Sequence, residues 1–137
     1  MNDRVFIDTN IFLYAHDARD KIKQAAAREL IFREYGSGNC AISVQVLAEF
    51  FQNYVVKFGK PIVDALKEMH FMTRCRVVDQ TISLLVAATS MFRKYSISFW
   101  DSMIVAAAVE SNSETLYSED MVHNQEIEGV TVSNPFL

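Results

Sequence analysis

Val5-Phe6-Ile7-Asp8-Thr9-Asn10 is the stretch on which the reading of this sequence turns. Three apolar residues, two of them β-branched, run straight into a carboxylate, a hydroxyl and an amide. Apolar character resumes at Ile11-Phe12-Leu13. With no polar alternation, Val5 to Ile7 reads as a short strand buried on both faces, the kind found in parallel sheets covered by helices. Asp8 then stands at the strand's carboxyl end, the edge where open α/β sheets bind ligands. The same residue is fitted to cap the next helix, with Thr9 and Asn10 as alternative caps. This stretch alone leaves both roles open.

Working outward, Ile11 to Ala15 reads as a short helix and His16 to Asp20 as a polar loop. Asp20 is placed to cap a helix over Lys21 to Tyr35, whose apolar residues Ile22, Ala26, Leu30 and Ile31 have helical spacing. Gly36-Ser37-Gly38 ends it. Arg19, Lys21, Lys23 and Arg28 form the densest basic group, which reads as a solvated helix face before a phosphate-contacting patch. Cys40 to Ile42 is a second strand. Ser43 caps a helix over Val44 to Lys57, in which Leu47, Phe50, Phe51, Tyr54 and Val55 make an apolar stripe. Glu49 falls opposite that stripe, facing either water or a site.

Gly59-Lys60-Pro61 breaks the chain, and Ile62 to Met72 follows as a helix with Pro61 suited to its start. Arg76 to Val78 is a third strand, and Asp79 is placed as N-cap of a helix over Gln80 to Tyr95. Ser98-Phe99-Trp100-Asp101 opens the most apolar helix, which runs through Val109 to Ser111 and should be buried nearly all round. Ser98 and Asp101 fit a capping box. Thr115 to Tyr117 is a fourth strand, Val122 to Ile127 a short helix and Val130 to Val132 a fifth strand. Strands alternate with helices throughout. The expectation is one α/β domain over residues 1–137, a three-layer α/β/α arrangement around a mainly parallel sheet of about five short strands. That topology carries Asp8, Glu49, Asp101 and Asp120 to one sheet edge, a convergence that none of the four suggests alone.

Composition bounds the rest. The chain has 137 residues, half apolar and 22% charged, which is globular and not disordered. The longest apolar run, Met103 to Val109, is too short to span a bilayer. Met1 to Arg4 carries no leader pattern, so a cytosolic protein is expected. Cys40 and Cys75 lack paired spacing and read as small buried residues in a reducing compartment. His16, His70 and His123 do not stand at zinc-ligand spacing. The net charge of −4 has the wrong sign for a general polyanion binder, but it does not exclude nucleic acid if several acids are gathered in one metal-binding pocket.

The ordered pieces Phe6-Ile7-Asp8-Thr9-Asn10, Ala48-Glu49-Phe50, Phe99-Trp100-Asp101-Ser102, Leu116-Tyr117-Ser118-Glu119-Asp120 and Gly129 to Phe136 resemble the PIN-domain family, and within it the VapC-like toxin ribonucleases. The resemblance implies a PIN fold and an endoribonuclease dependent on Mg²⁺ or Mn²⁺. It implies Asp8, Glu49, Asp101 and Asp120 as the catalytic, metal-binding acids, with Glu119 a rival for the fourth place. Thr9, Asn10 and Ser118 become the implied substrate contacts. A structured RNA such as tRNA is the implied substrate. The implied partner is a cognate antitoxin docked in a hydrophobic groove that Phe12, Tyr14, Phe50, Phe51 and Tyr54 would supply, and a homodimer is a further expectation. The chemistry agrees: Mg²⁺ prefers carboxylate and water oxygens, and such ions assist in-line attack on a phosphodiester. Two other readings are a haloacid-dehalogenase-type phosphotransferase and an inert interaction module. The first wants a second Asp where Asn10 stands, and the second is disfavoured by the presence of all four acids.

Overall fold

Val5, Phe6 and Ile7 form β1 and are almost wholly buried, as a strand covered on both faces must be. The computed structural model describes residues 3–137. After β1 (Val5–Ile7) come α1 (Thr9–Tyr14), α2 (Lys21–Ser37), β2 (Cys40–Ser43) and α3 (Val44–Phe51), which continues as a π-helical segment, Gln52–Lys57. Then follow α4 (Ile62–Met72), β3 (Arg76–Val78), α5 (Ile82–Lys94), α6 (Phe99–Glu110), β4 (Thr115–Tyr117), β5 (Glu126–Ile127) and β6 (Val130–Ser133).

The sheet order is β3-β2-β1-β4-β6-β5, parallel except for the β5–β6 pair. From β1 the chain steps outward to β2 and β3, then returns across the sheet to β4. With right-handed crossovers, that reversal puts α5 and α6 on the face opposite α1 to α4. The switch in direction falls between β1 and β4, and in such sheets the crevice beyond the carboxyl ends of the two strands is where ligands bind. Asp8 leaves β1 there and Ser118 leaves β4. The Asp8 amide donates to the Tyr117 carbonyl at 3.0 Å, which ties the two strand ends together. Helix α6 is buried from Ser102 to Ala108, where a run of alanines lets it lie close to the sheet.

Two local expectations change. Asp79 is not the cap of α5: Thr81 is, its hydroxyl accepting from the Leu84 amide at 3.1 Å. Both residues satisfy a cap pattern, and the phase that buries Leu84, Ala88 and Met91 selects Thr81. Residues 122–127 are not helical. Glu126–Ile127 is a sixth strand, paired antiparallel with β6 through a two-residue turn at Glu128 (φ 52) and Gly129 (φ 84). Positive φ at both turn positions is the geometry that joins two strands without splaying them. Pro61 starts α4 as expected, standing at its N-cap.

Cys40 and Cys75 are buried as expected, but they are not free thiols. They form a disulfide, with Cα atoms 4.7 Å apart. Cys40 opens β2 and Cys75 precedes β3, so the pairing of Ala41 with Arg76 brings the two sulfurs side by side. The bond closes a loop with a sequence separation of 35 residues. In the chain-entropy account such closure stabilises by about 3–4 kcal/mol. Reduction should therefore lower Tm by on the order of 10 °C, read by melts with and without dithiothreitol. An unchanged melt, with free thiols titratable in the untreated protein, would overturn the bond. Among the described residues no helix is long and apolar enough to cross a membrane. The leader reading rested partly on Met1 and Asn2, which lie outside the described residues.

Candidate active site

Asp8, Glu49, Asp101 and Asp120 come from four separate parts of the chain and line one cleft of about 220 Å³. Thr9, Asn10, Leu13, Gln45, Asn53, Trp100 and Ile104 complete its wall. Asp8 is the deepest acid, 4% exposed. It caps α1, accepting from the Thr9 amide at 2.7 Å, and its other oxygen accepts from the Ser118 hydroxyl, also at 2.7 Å. Cap and cleft roles thus coexist in one residue, because the helix begins at the sheet edge where the cleft opens.

The other acids are held in turn. Glu49, on α3, accepts from the Thr9 hydroxyl at 2.9 Å. Asp120, beyond β4, accepts from the Asn10 amide at 3.0 Å. Asp101, in the first turn of α6, donates its backbone N–H to the Ser98 hydroxyl at 3.1 Å, which is the N-cap bond. Its carboxylate is half-buried and faces the cleft, so here too cap position and cleft position coincide. Ser118 is fully buried, and its hydroxyl also accepts from the Asp120 amide at 3.2 Å. It does not line the cleft and serves to position Asp8. Glu119 turns away: it accepts from the Tyr14 hydroxyl at 2.7 Å and pairs with Lys23. Of the two rivals for the fourth acidic place, Asp120 is therefore the one in the cleft.

Burial and crowding act on these groups together. Desolvation pushes the Asp8 carboxyl up to about 7 against the hydrogen bonds from Ser118 and Thr9, and the charges of Asp120 and Glu49 add to the rise. Glu49 is raised by burial, with contributions from Asp101 and Asp120, against its bonds to Thr9 and Gln45. Asp101 is raised by burial and by Asp120, against Ser98. Carboxylates that disfavour their own charge in this way gain from a nearby cation.

The donor set suits a hard divalent ion, which takes carboxylate, amide and water oxygens. Gln45 adds to it: its amide donates to the Trp100 carbonyl at 3.3 Å, while its Oε1 is buried with no donor among the described residues. Among the described residues no three His, Cys, Asp or Glu side chains are grouped closely enough to hold a metal as they stand. The acids share a cleft without sharing a ligand point, and an ion there would have to draw them inward. Gln45, Asn53 and Trp100 were missed in the sequence. Gln45 lies in the first turn after β2, where an uncharged amide gives no signal of a site.

The sequence profile of the PIN domain matches residues 5–125. This chain belongs to the PIN domain family. Among solved structures this PIN domain is similar to Mycobacterium tuberculosis VapC20, described as a sarcin-ricin loop cleaving toxin. The TM-score is 0.66 and the identity 21%, over 85% of this chain and 89% of that one. A toxin–antitoxin complex from Klebsiella pneumoniae gives a TM-score of 0.70 at 16% identity, over 96% of this chain and 97% of that one. VapBC2 from Rickettsia felis, bound to a DNA fragment from its promoter, gives 0.63 at 22% identity, over 95% and 97%. At these identities the likeness is one of fold. No curated protein sequence matches the chain.

Proposed function

We propose that this PIN domain is a metal-dependent endoribonuclease, using Mg²⁺ or Mn²⁺ to hydrolyse RNA phosphodiester bonds, and that it is the toxin of a toxin–antitoxin pair acting in the cytoplasm. The observation that carries the reading is the meeting of Asp8, Glu49, Asp101 and Asp120 in one cleft at the switch point of a PIN fold. A structured RNA presenting a loop, such as tRNA or ribosomal RNA, is the substrate class. VapC20, a relative in fold, cuts such a loop.

Asp8, Glu49, Asp101 and Asp120 are the residues that would hold the ion or ions. When bound, a divalent cation neutralises the phosphodiester and lowers the pKa of a water. The chain's own part is to fix the carboxylates. Thr9 sets both Asp8 and Glu49, Ser118 sets Asp8, and Asn10 sets Asp120. In hydrolysis the water oxygen bonds to phosphorus, the bond to the leaving sugar oxygen breaks, the water's proton passes to solvent or to a cleft carboxylate, and the departing oxygen takes up a proton from solvent to leave as a hydroxyl. Among the described residues no histidine or serine side chain lines the cleft. Cleavage of a labelled RNA in Mn²⁺ and in EDTA tests the reading.

The partner belongs to the same proposal. A second, apolar groove of about 340 Å³ is walled by Phe12, Ile31, Phe32, Phe50, Phe71 and Met72 among others, with Arg28 and Glu68 also in its wall. Helix α1 stands between groove and cleft: Phe12, with Ala15 just past the helix end, lines the groove, and Asn10 and Leu13 line the cleft. Of the aromatic residues offered by the sequence, Phe12 and Phe50 line this groove. Tyr54 is buried and stacked on Phe50, and Tyr14 packs edge-on against Phe136. An apolar helix of an antitoxin is the proposed occupant, since two fold relatives are toxin–antitoxin assemblies. Co-purification from the native operon should yield a tight complex whose mass, by light scattering, also gives the oligomeric state, and Phe32→Glu should dissociate it. A lone protein that arrests nothing when expressed and binds no product of a neighbouring gene would sink the toxin reading.

A further inference from the structure

The acid cleft does not end at Asp120. Asn10, Leu13, Asn53 and Asp120 also line an adjoining pocket of about 210 Å³. Its other lining is Tyr14, Glu119, Asp17, Arg19, Lys57 and Phe58, and the last four in turn line a further pocket of about 480 Å³ that reaches Lys60. The three pockets adjoin in succession, a channel-like row running from four carboxylates to a basic outlet.

The backbone is shaped for this. The segment Gln52–Lys57 is π-helical, closed by the Phe58 amide donating to the Asn53 carbonyl at 2.9 Å. Such wider turns are frequent at functional sites. Here Asn53 lines the cleft and Lys57, one turn on, lines the outlet. Gly59, at φ 67, then reverses the chain, and the Lys60 amide bonds the Tyr54 carbonyl at 3.1 Å. A side chain at that φ would be strained. The turn brings Lys60 back to the channel.

The chemistry of the outlet matches nucleic acid. Lys57 and Lys60 are exposed and form no ion pair among the described residues. Arg19 is held by both oxygens of Asp17, at 2.9 and 2.8 Å, and its guanidinium lies 5.7 Å from the centre of the Phe58 ring. A guanidinium fixed over an aromatic ring, with its side chain 77% exposed, is a flat stacking face. Bases stack on such faces only when they are not already stacked in a duplex.

We propose that this channel is the path of the RNA strand flanking the scissile phosphate, and that it takes unpaired RNA. Lys57 and Lys60 contact phosphates, and the Arg19–Phe58 pair receives a base. The proposal rests on the nuclease reading of the acid cleft, and it adds the path beyond that cleft and the residues along it: Lys57, Lys60 and the Arg19–Phe58 pair.

The test is binding without cleavage. Fluorescence anisotropy of a short labelled single-stranded RNA, in EDTA, is followed as monovalent salt is raised. The same strand annealed to its complement is the second probe. Each phosphate contact on a single strand contributes about 0.7 to the slope of log affinity against log salt. Lys57→Gln and Lys60→Gln should each flatten the slope by about 0.7, and the double variant by about 1.4. Lys94→Gln, which removes a charge that pairs with Glu128 outside the channel, should leave it unchanged. Arg19→Gln should weaken single-strand binding several-fold and narrow its advantage over duplex. An unchanged slope in the double variant, an equal effect of Lys94→Gln, or duplex bound as tightly as single strand overturns the channel. The nuclease reading fails separately, by cleavage that survives Asp8→Asn or EDTA. Unchanged slopes in a protein whose cleavage requires Asp8 defeat the channel alone.

Discussion

Asp8→Asn should abolish RNA cleavage while leaving the fold intact. The substitution is nearly isosteric, and the amide oxygen still accepts from the Thr9 amide, so α1 keeps its cap. What disappears is the negative charge at the deepest point of the cleft, on the residue that Thr9 and Ser118 hold fixed. Removing a central electrostatic group costs about 10³-fold or more in rate. The measurement is the initial rate on a labelled structured RNA in saturating Mn²⁺, with circular dichroism to confirm the fold. A variant that cleaves as fast as the parent, or a parent equally active in EDTA, sinks the nuclease reading.

The metal-free protein should lose the Asp8 contribution to its stability as pH rises, opposite in direction to the familiar salt-bridged carboxylate. The Asp8 pKa rises from 3.8 to about 7 on folding. Between those values the folded state binds a proton that the unfolded state has released, so stability falls with increasing pH. The penalty is absent below the unfolded value, grows through the window and is complete above about 7. Its ceiling is about 4 kcal/mol from the size of the shift. Other carboxylates impose their own pH dependence, so the informative quantity is wild type against Asp8→Asn. In EDTA the two should melt together near pH 4, and the variant should melt higher by on the order of 10 °C near pH 8. Mn²⁺ should recover the difference for wild type only, since it binds the ionised cleft of the folded state. Parallel melting curves across the whole range would show that burial of Asp8 carries no such cost.

Much of this was legible because it is local. A hydroxyl or carboxylate just before a helix meets an amide three residues on whatever the rest of the chain does. The sequence therefore locates the caps at Asp20, Ser43 and Ser98, each confirmed by such a bond. Val5–Ile7, Arg76–Val78 and Thr115–Tyr117 are bounded as read, because short apolar runs between polar breaks have few alternatives. The alternation of such runs with helices is enough to fix a parallel sheet, and the sheet is enough to bring four distant acids to one edge.

Tertiary structure decided what depends on a partner remote in sequence. Thr81 prevails over Asp79 because the core must receive Leu84 and Met91. Glu126 and Ile127 become a strand because β6 offers an unpaired edge and Gly129 permits the turn. Cys40 and Cys75 meet only through the β2–β3 register. The helix read over Val44 to Lys57 keeps its length but widens from Gln52, for which the side-chain pattern holds no signal. At the site, the sequence offers Asp120 as the fourth acid with Glu119 as its rival. The choice follows from Tyr14 and Lys23 drawing Glu119 away, and from Asn10 holding Asp120 at the cleft. Propensity and periodicity act within a few residues, so they determine elements and caps. Register, disulfide pairing and the aim of a side chain are set by contacts across the fold, which only the assembled sheet and helices supply.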